Sequence, residues 1–325
     1  MLMPVYAFIF PGQGSQSVGM GRDLAASFAA AREVFGEVDD ALEERLSKLM
    51  FDGPADQLML TENAQPALMA MSMAVVRVLA QEGGVRVGER AALVAGHSLG
   101  EYSALAASHA FDLPTVARLL RLRGRAMQAA VAPGEGAMAA LLGVEPGPAA
   151  EICADAAVWR QEGKPDLRQV VQVANDNGGG QVVISGHKEA VDRAVEIAKT
   201  RGVKRAMVLP VSAPFHCALM APAADKMAEA LGGAAMRVPV VPLLANVTAA
   251  KTSDPEIIKA QLVQQVTGTV RWRESVIAAG EMGVDTFLEL GAGKVLSGLV
   301  KRILPDATAL NAGTPAEIEA LLKVF

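Results

Sequence analysis

Five residues in a row, Gly96-His97-Ser98-Leu99-Gly100, form a GxSxG sequence directly after the apolar run Ala91–Ala95 and directly before a helical stretch, Glu101–His109. A serine so placed sits on a sharp strand-to-helix bend. The bend needs small residues on both flanks, lifts the hydroxyl clear of the sheet and aims the next backbone N–H at the same space. Ser98 is therefore the candidate nucleophile and the Leu99 N–H a candidate oxyanion donor. The competing reading, an ordinary turn that happens to hold serine between glycines, is disfavoured because both flanking elements are in place.

A serine hydroxyl is a poor nucleophile at neutral pH and needs a base within hydrogen-bond reach. The chain has four histidines. His97 lies inside the bend and is turned away from the hydroxyl, His109 ends the next helix, and His187 opens a helix in the middle of the chain. His216 remains, in Val211-Ser212-Ala213-Pro214-Phe215-His216, where the chain re-enters the α/β layers; its competing role is to cap the helix after Cys217. Cys217 itself has no bend around it and reads as a packing residue. No acid between Ser98 and His216 completes a triad: Asp112, Asp155, Asp166, Asp176 and Asp192 fall in helices, caps or the middle region. A Ser-His dyad oriented by a backbone carbonyl is expected.

Two further stretches bear on ligand binding. Phe10-Pro11-Gly12-Gln13-Gly14-Ser15-Gln16 follows the first strand, where ligand loops of α/β sheets gather, but Ser17 stands where a dinucleotide GxGxxG needs glycine and no GK[ST] follows. Gln13 there offers an amide and a close backbone rather than a phosphate cradle. Gly291-Ala292-Gly293-Lys294 likewise reads as a strand-to-helix turn. The helix from Pro114 to about Ala132 carries Arg118, Arg121, Arg123 and Arg125. Most should lie on a solvated face, while one of them behind the serine would suit a substrate carboxylate as a bidentate fork; the pattern alone does not choose which.

The elements that must position these residues alternate. Short apolar strands at Val5–Phe10 and Ala91–Ala95 are separated by helices, and further strands follow near Val241–Ala245, Thr286–Leu290 and Ala307–Leu310, the rhythm of a parallel α/β sheet. Between Pro133-Gly134 and about Pro210 the order is strand (Ala137–Val144), helix (Pro148–Val158), strand (Val170–Ala174), a turn through Asn175-Asp176-Asn177 and three glycines, strand (Gln181–Ser185), helix (Lys188–Arg201) and strand (Lys204–Leu209). The predicted fold is α/β: a larger α/β-hydrolase-like domain with a parallel sheet, residues 1–133 and 209–325, holding an inserted ferredoxin-like βαββαβ unit at 134–208.

Composition bounds the rest. At 325 residues, 51% hydrophobic and only 4% aromatic, the chain has material for about two domains with a core of aliphatic residues and methionine. A net charge of -5 gives no general attraction to nucleic acid or anionic lipid. Two cysteines without CxxC spacing suggest a reducing compartment, so the cytoplasm is expected. The apolar start Met1–Phe10 is shorter than a secretory core, lacks a basic leader and reads as a buried strand. No run of 18 apolar residues suggests a membrane span, and neither a metal nor an organic cofactor is expected.

Taken together, FPGQGSQ (Phe10–Gln16), GHSLGEYSAL (Gly96–Leu105), LRGRAM (Leu122–Met127), QVVISG (Gln181–Gly186), PFHCALM (Pro214–Met220) and ELGAGKVLSGL (Glu289–Leu299) give the chain a resemblance, nearly end to end, to the malonyl-CoA:acyl carrier protein transacylases of type II fatty acid synthesis. These are related to the acyltransferase domains of polyketide synthases. The resemblance implies Ser98 as nucleophile, His216 as base and the backbone of Gln13 and Leu99 as oxyanion hole. It also implies Arg123 as the grip on the malonyl carboxylate, Gln265 rather than its neighbour Gln264 beside the histidine, and Phe215 as the ring that goes with malonyl over methylmalonyl. It implies a ping-pong transfer from malonyl-CoA to the phosphopantetheine thiol of an acyl carrier protein.

Carrier proteins are typically acidic. The segment His187–Arg205 holds Lys188, Arg193, Lys199, Arg201, Lys204 and Arg205 against Glu189, Asp192 and Glu196, a local charge of +3. That segment is the expected docking patch, with a plain solvated helix face as the alternative. A monomer is expected. The rival readings are a serine esterase or thioesterase, the same transfer serving a polyketide or malonate pathway, and a silent carrier-binding protein.

Overall fold

The computed structural model describes residues 4–159 and 166–325. Its strands are β1 (Tyr6–Phe10), β2 (Ala91–Gly96), β3 (Gly136–Leu142), β4 (Val158–Trp159), β5 (Leu167–Arg168), β6 (Val171–Asp176), β7 (Gln181–His187), β8 (Arg205–Val208), β9 (Leu243–Leu244), β10 (Lys251–Thr252), β11 (Thr286–Leu290) and β12 (Thr308–Ala312). The larger sheet has the order β10-β9-β2-β1-β11-β12. Its pairs are parallel except β10 with β9.

β1 reads Tyr-Ala-Phe-Ile-Phe with every residue buried, as a central parallel strand covered on both faces should be. Because successive side chains point to opposite faces, Tyr6, Phe8 and Phe10 enter one core with Leu68, Met71 and Val75 from the helix Thr61–Gly83. Ala7 and Ile9 enter a second core on the other face with Trp272, Phe287 and Leu299. Each fully buried ring contributes about 1.5–3 kcal/mol, so the strand behind the reactive bend is firmly held.

The smaller sheet has the order β6-β7-β3-β8, all antiparallel. Helices Pro146–Ala156 and Lys188–Thr200 pack with it around Ile152, Ile184, Val191 and Val195. It is tied to the larger layer where Asp176 N–H donates to Val270 O at 3.0 Å and Val270 N–H to Ala174 O at 2.9 Å.

Several expected boundaries are corrected. The larger sheet is mixed rather than purely parallel, because β10 returns against β9 within a few residues, too short a connection for a crossover. The strand expected at Val241–Ala245 contracts to Leu243–Leu244. Asn175 and Asp176 belong to β6, where a register shift between Val173 and Asn175 lets both residues join the ladder, so the turn begins at Asn177. The helix expected over Glu101–His109 ends at Ala107, and His109 is a turn residue at φ 59°. The start of the chain is strand from Tyr6, and Met1–Met3 lie outside the described residues. Among the described residues no helix is long and apolar enough to cross a membrane. No group of three or more His, Cys, Asp or Glu suited to a metal occurs among them either.

Candidate active site

The reactive bend is built by close approach. A Cβ on Gly96 would meet Gly100 O at 2.0 Å, and one on Gly100 would meet Phe10 O at 2.3 Å, so both flanks of the serine must be glycine. Ser98 itself is left-handed at φ 54°. A non-glycine residue in that region costs about 1–3 kcal/mol and persists only where its surroundings hold it. Here the holding group is Asn246, just past β9, whose Oδ1 accepts from Ser98 N–H at 2.8 Å while its Nδ2 donates to Gly96 O at 2.7 Å.

His216 reaches the serine from the segment that leaves β8. Ser98 Oγ donates to His216 Nε2 at 2.8 Å, and His216 Nδ1–H donates to the Gln265 backbone carbonyl at 2.8 Å. The dyad oriented by a carbonyl is thus present, and His216 is held in the tautomer that leaves Nε2 free to accept. His216 also has a left-handed backbone, φ 59°. Burial first, and the Arg123 guanidinium second, push its imidazolium down to about 3, so the ring is neutral at physiological pH and available as a base.

Of the four arginines, Arg123 lies behind the serine. It is 1% exposed, and its guanidinium donates to Ser98 Oγ at 3.1 Å, Gln265 Oε1 at 2.8 Å and Gln65 Oε1 at 2.7 Å. Its centre lies 5.7 Å from the centroid of the Tyr102 ring, and among the described residues its Nε–H has no partner. Arg118 and Arg125 are exposed as expected, but Arg121 is not: it is buried against Glu62 O, Asn63 and Glu44, where it clamps the helix Leu113–Ala129 to the start of Thr61–Gly83.

Two of the other histidines have hydrogen-bond partners of their own. His97 Nε2 faces Asn177 Oδ1 at 2.9 Å, away from the hydroxyl, and His187 Nδ1 accepts from Val170 N–H at 2.9 Å. Cys217 is buried, its thiol donating to Pro214 O. The GAGK turn is no anion site, because the Glu289 carboxylate already takes the first N–H groups of the following helix, Leu296 at 3.1 Å and Ser297 at 2.7 Å.

Ser98 opens on a cavity of about 730 Å³ between the two sheets. Gln13, Ser98, Leu99, Arg123, Phe215 and His216 line it. Among the described residues the N–H groups of Gln13 and Leu99 have no hydrogen-bond partner, while the Gln13 side chain is held by Thr61 Oγ at 2.9 Å. Gln265 is fully buried and Gln264 exposed. Sequence reasoning missed Glu101, Asn246 and Gln65, whose short-range context is helical or loop-like. The one legible signal was Gln65, a lone amide within the otherwise apolar run that follows Ala64.

Comparison with known proteins is consistent along the whole chain. The family described as acyl transferase domain matches residues 7–314. The malonyl CoA-acyl carrier protein transacylase of Escherichia coli K12 is 45% identical over 99% of this chain and 100% of its own length. That of Bacillus subtilis is 42% identical over 99% of this chain and 98% of its own. Among solved structures, the acyl-carrier-protein S-malonyltransferase of Bartonella henselae is 57% identical with a TM-score of 0.93, covering 98% of this chain and 99% of that one. A malonyl-transacylase in complex with a type II PKS acyl-carrier protein is 42% identical with a TM-score of 0.92, covering 99% of this chain and 100% of that one.

Proposed function

The chain belongs to the acyl transferase domain family, among the malonyl CoA-acyl carrier protein transacylases, and from that premise we propose that malonyl crosses between its two carriers as an ester on Ser98. The protein is an acyltransferase that moves malonyl from malonyl-CoA to an acyl carrier protein for fatty acid synthesis. One observation supports the ester reading above the rest: Ser98 Oγ lies at 2.8 Å from a neutral imidazole and at 3.1 Å from a buried guanidinium, inside a cavity.

In the first half-reaction His216 Nε2 takes the Ser98 proton as Oγ bonds to the thioester carbon. The C–S bond then breaks, and the proton passes from His216 to the departing coenzyme A sulfur. The Gln13 and Leu99 N–H groups receive the oxyanion between these steps. The malonyl carboxylate meets Arg123, whose Nε–H, without a partner among the described residues, is a buried donor in need of an acceptor. The second half-reaction runs the same path in reverse, with the carrier thiol giving its proton to His216, attacking the ester and releasing Ser98. Phe215 narrows the cavity beside the base, a size that favours malonyl over its α-methyl analogue by about 1–3 kcal/mol.

Intact-mass measurement tests the reading. One malonyl adduct per chain, on Ser98, is expected with malonyl-CoA, with far slower loading from methylmalonyl- and acetyl-CoA. Rapid hydrolysis without an adduct, or an adduct elsewhere, would remove it.

The architecture belongs to the same reading. The order β6-β7-β3-β8 with two helices supports a ferredoxin-like unit at 134–208 set into an α/β-hydrolase-like domain of 1–133 and 209–325. The site is complete within one chain, in keeping with a monomer. The two buried, unpaired thiols, Cys153 and Cys217, suit a cytoplasmic setting.

Carrier docking is read on the outer face of that unit, with one reassignment. Arg193 donates to Ala156 O and Gln169 Oε1 and stacks 5.8 Å over the Trp159 ring, while Lys188 and Lys199 pair with Asp192 and Glu196. Lys204 and Arg205, at the start of edge strand β8, carry the less committed charge. Reversing both to Glu should slow transfer to the carrier about tenfold without changing loading from malonyl-CoA; equal rates in both half-reactions would dispose of the patch.

A further inference from the structure

The helix after the serine begins Gly100-Glu101, and Glu101 is 2% exposed although it is an acid that takes no part in the transfer as derived above. One carboxylate oxygen accepts from Asn246 N–H at 2.6 Å and the other from the Gln265 side-chain amide. That amide also donates to Ser98 O at 2.9 Å, leaving Gln265 Oε1 turned to Arg123 at 2.8 Å. The backbone carbonyl of the same Gln265 holds His216 Nδ1–H at 2.8 Å. One glutamine thus carries the guanidinium on its side chain and the base on its main chain, and Glu101 decides which way its amide faces.

We infer that Glu101 is a positioning residue for this transfer, fixing the Gln265 amide so that Arg123 stays aimed at the acyl carboxylate beside Ser98. The inference rests on the proposed role of Arg123 in gripping malonyl. The physical reason is the asymmetry of an amide. Gln265 has one acceptor end and one donor end, and both a flipped and an unflipped form fit the same space. With a carboxylate at Glu101, which only accepts, the donor end must face it and the acceptor end must face the guanidinium. The reverse arrangement would set NH₂ against Arg123 and a carbonyl against a carboxylate, two repulsions in a water-poor site.

Both Glu101 oxygens accept, the pattern of the ionised form, so it is the carboxylate that fixes the amide. Burial pushes that carboxyl up to about 8 against the Asn246 and Gln265 donors and the Arg123 charge, so wild type and variants are to be compared at about pH 9, where it is ionised. The same asymmetry explains why the group is an acid at all. An amide at 101 that kept Asn246 N–H on its oxygen would present its own NH₂ to Gln265, which would then have to turn over and lose Arg123.

Glu101→Gln and Glu101→Asp test this. The aspartate keeps the charge but is one methylene shorter, so it can stay with Asn246 and fall short of Gln265. In each folded variant the ratio of malonyl to acetyl loading on Ser98 should drop tenfold or more, with KM for malonyl-CoA rising and acetyl loading changing by less than threefold. A folded variant with the wild-type ratio overturns the inference, whatever its melting temperature, because a purely structural acid would lower stability and leave selectivity alone. If Glu101→Gln does not fold, Glu101→Asp decides. Absence of any malonyl adduct on wild-type Ser98 would instead remove the underlying function, before the variants are compared.

Discussion

Malonyl loading of Ser98 should slow on the order of 10²- to 10⁴-fold in His216→Asn, the range a positioned general base contributes. Asparagine is a better test than alanine here because position 216 has φ 59°, a left-handed backbone that asparagine tolerates and most residues do not. It also leaves a polar group near the Gln265 carbonyl. The companion result is a pH profile. A histidine whose charged form is pushed down to about 3 is already neutral at pH 5, so its active form does not disappear as pH falls through the usual histidine range. The free-enzyme kcat/KM for malonyl-CoA should therefore show no histidine step between about pH 5 and 7. A step near 6.5 in the wild type, absent from His216→Asn, would contradict the burial argument; a loss below tenfold in the variant would remove His216 as the base. Rapid-quench mass measurement of the adduct reads both.

The second large effect belongs to Arg123. In Arg123→Ala, malonyl loading should fall about 10²- to 10⁴-fold while acetyl loading falls less than about tenfold. The asymmetry follows from charge. A malonyl carboxylate brought into the buried cavity without its cation is left unpaired, at a cost of about 3–5 kcal/mol, whereas an acetyl group brings no charge to strand. The smaller acetyl loss reflects the hydrogen bond Arg123 gives Ser98 Oγ at 3.1 Å. Arg123→Lys should fall between, since a point charge cannot serve Gln65, Gln265 and a carboxylate together in the way a planar fork does. Equal losses for both acyl groups would assign Arg123 to the serine rather than to selectivity. Competition between malonyl- and acetyl-CoA, resolved by mass on one sample, measures the ratio directly.

Where the chemistry is local, it was legible in the sequence. A bend with glycines at 96 and 100 has to hold whatever residue lies at its tip, and periodicity placed a strand before it and a helix after it. The orienting carbonyl was foreseen in kind, because no acid between Ser98 and His216 suited a triad. The resemblance put Gln265 beside the histidine but did not assign it the carbonyl, since Gln265 lies 167 residues from Ser98 and meets it only through packing. Element ends were less legible for the same reason. β9 shrank to two residues because pairing with β2 and β10, not its own apolar run, decides where hydrogen bonds form. Arg121 and Arg123 share a helix with Arg118 and Arg125, and helical spacing alone cannot say which face meets Glu62 and Gln65.

What the sequence alone determined is the candidate unit: a serine on a tight bend, the glycines that permit it, and His216 as the histidine best placed to meet it. These follow from backbone sterics and from elimination among four histidines, neither of which needs a third dimension. Tertiary structure decided which groups surround that unit. Burial keeps His216 neutral, Gln265 joins base to guanidinium, and Asn246 pins a strained serine, each through contacts between segments more than a hundred residues apart in the cases of Ser98–His216, Ser98–Asn246 and Arg123–Gln265. Dielectric environment and hydrogen-bond direction are properties of the packed site, so no reading along the chain contains them.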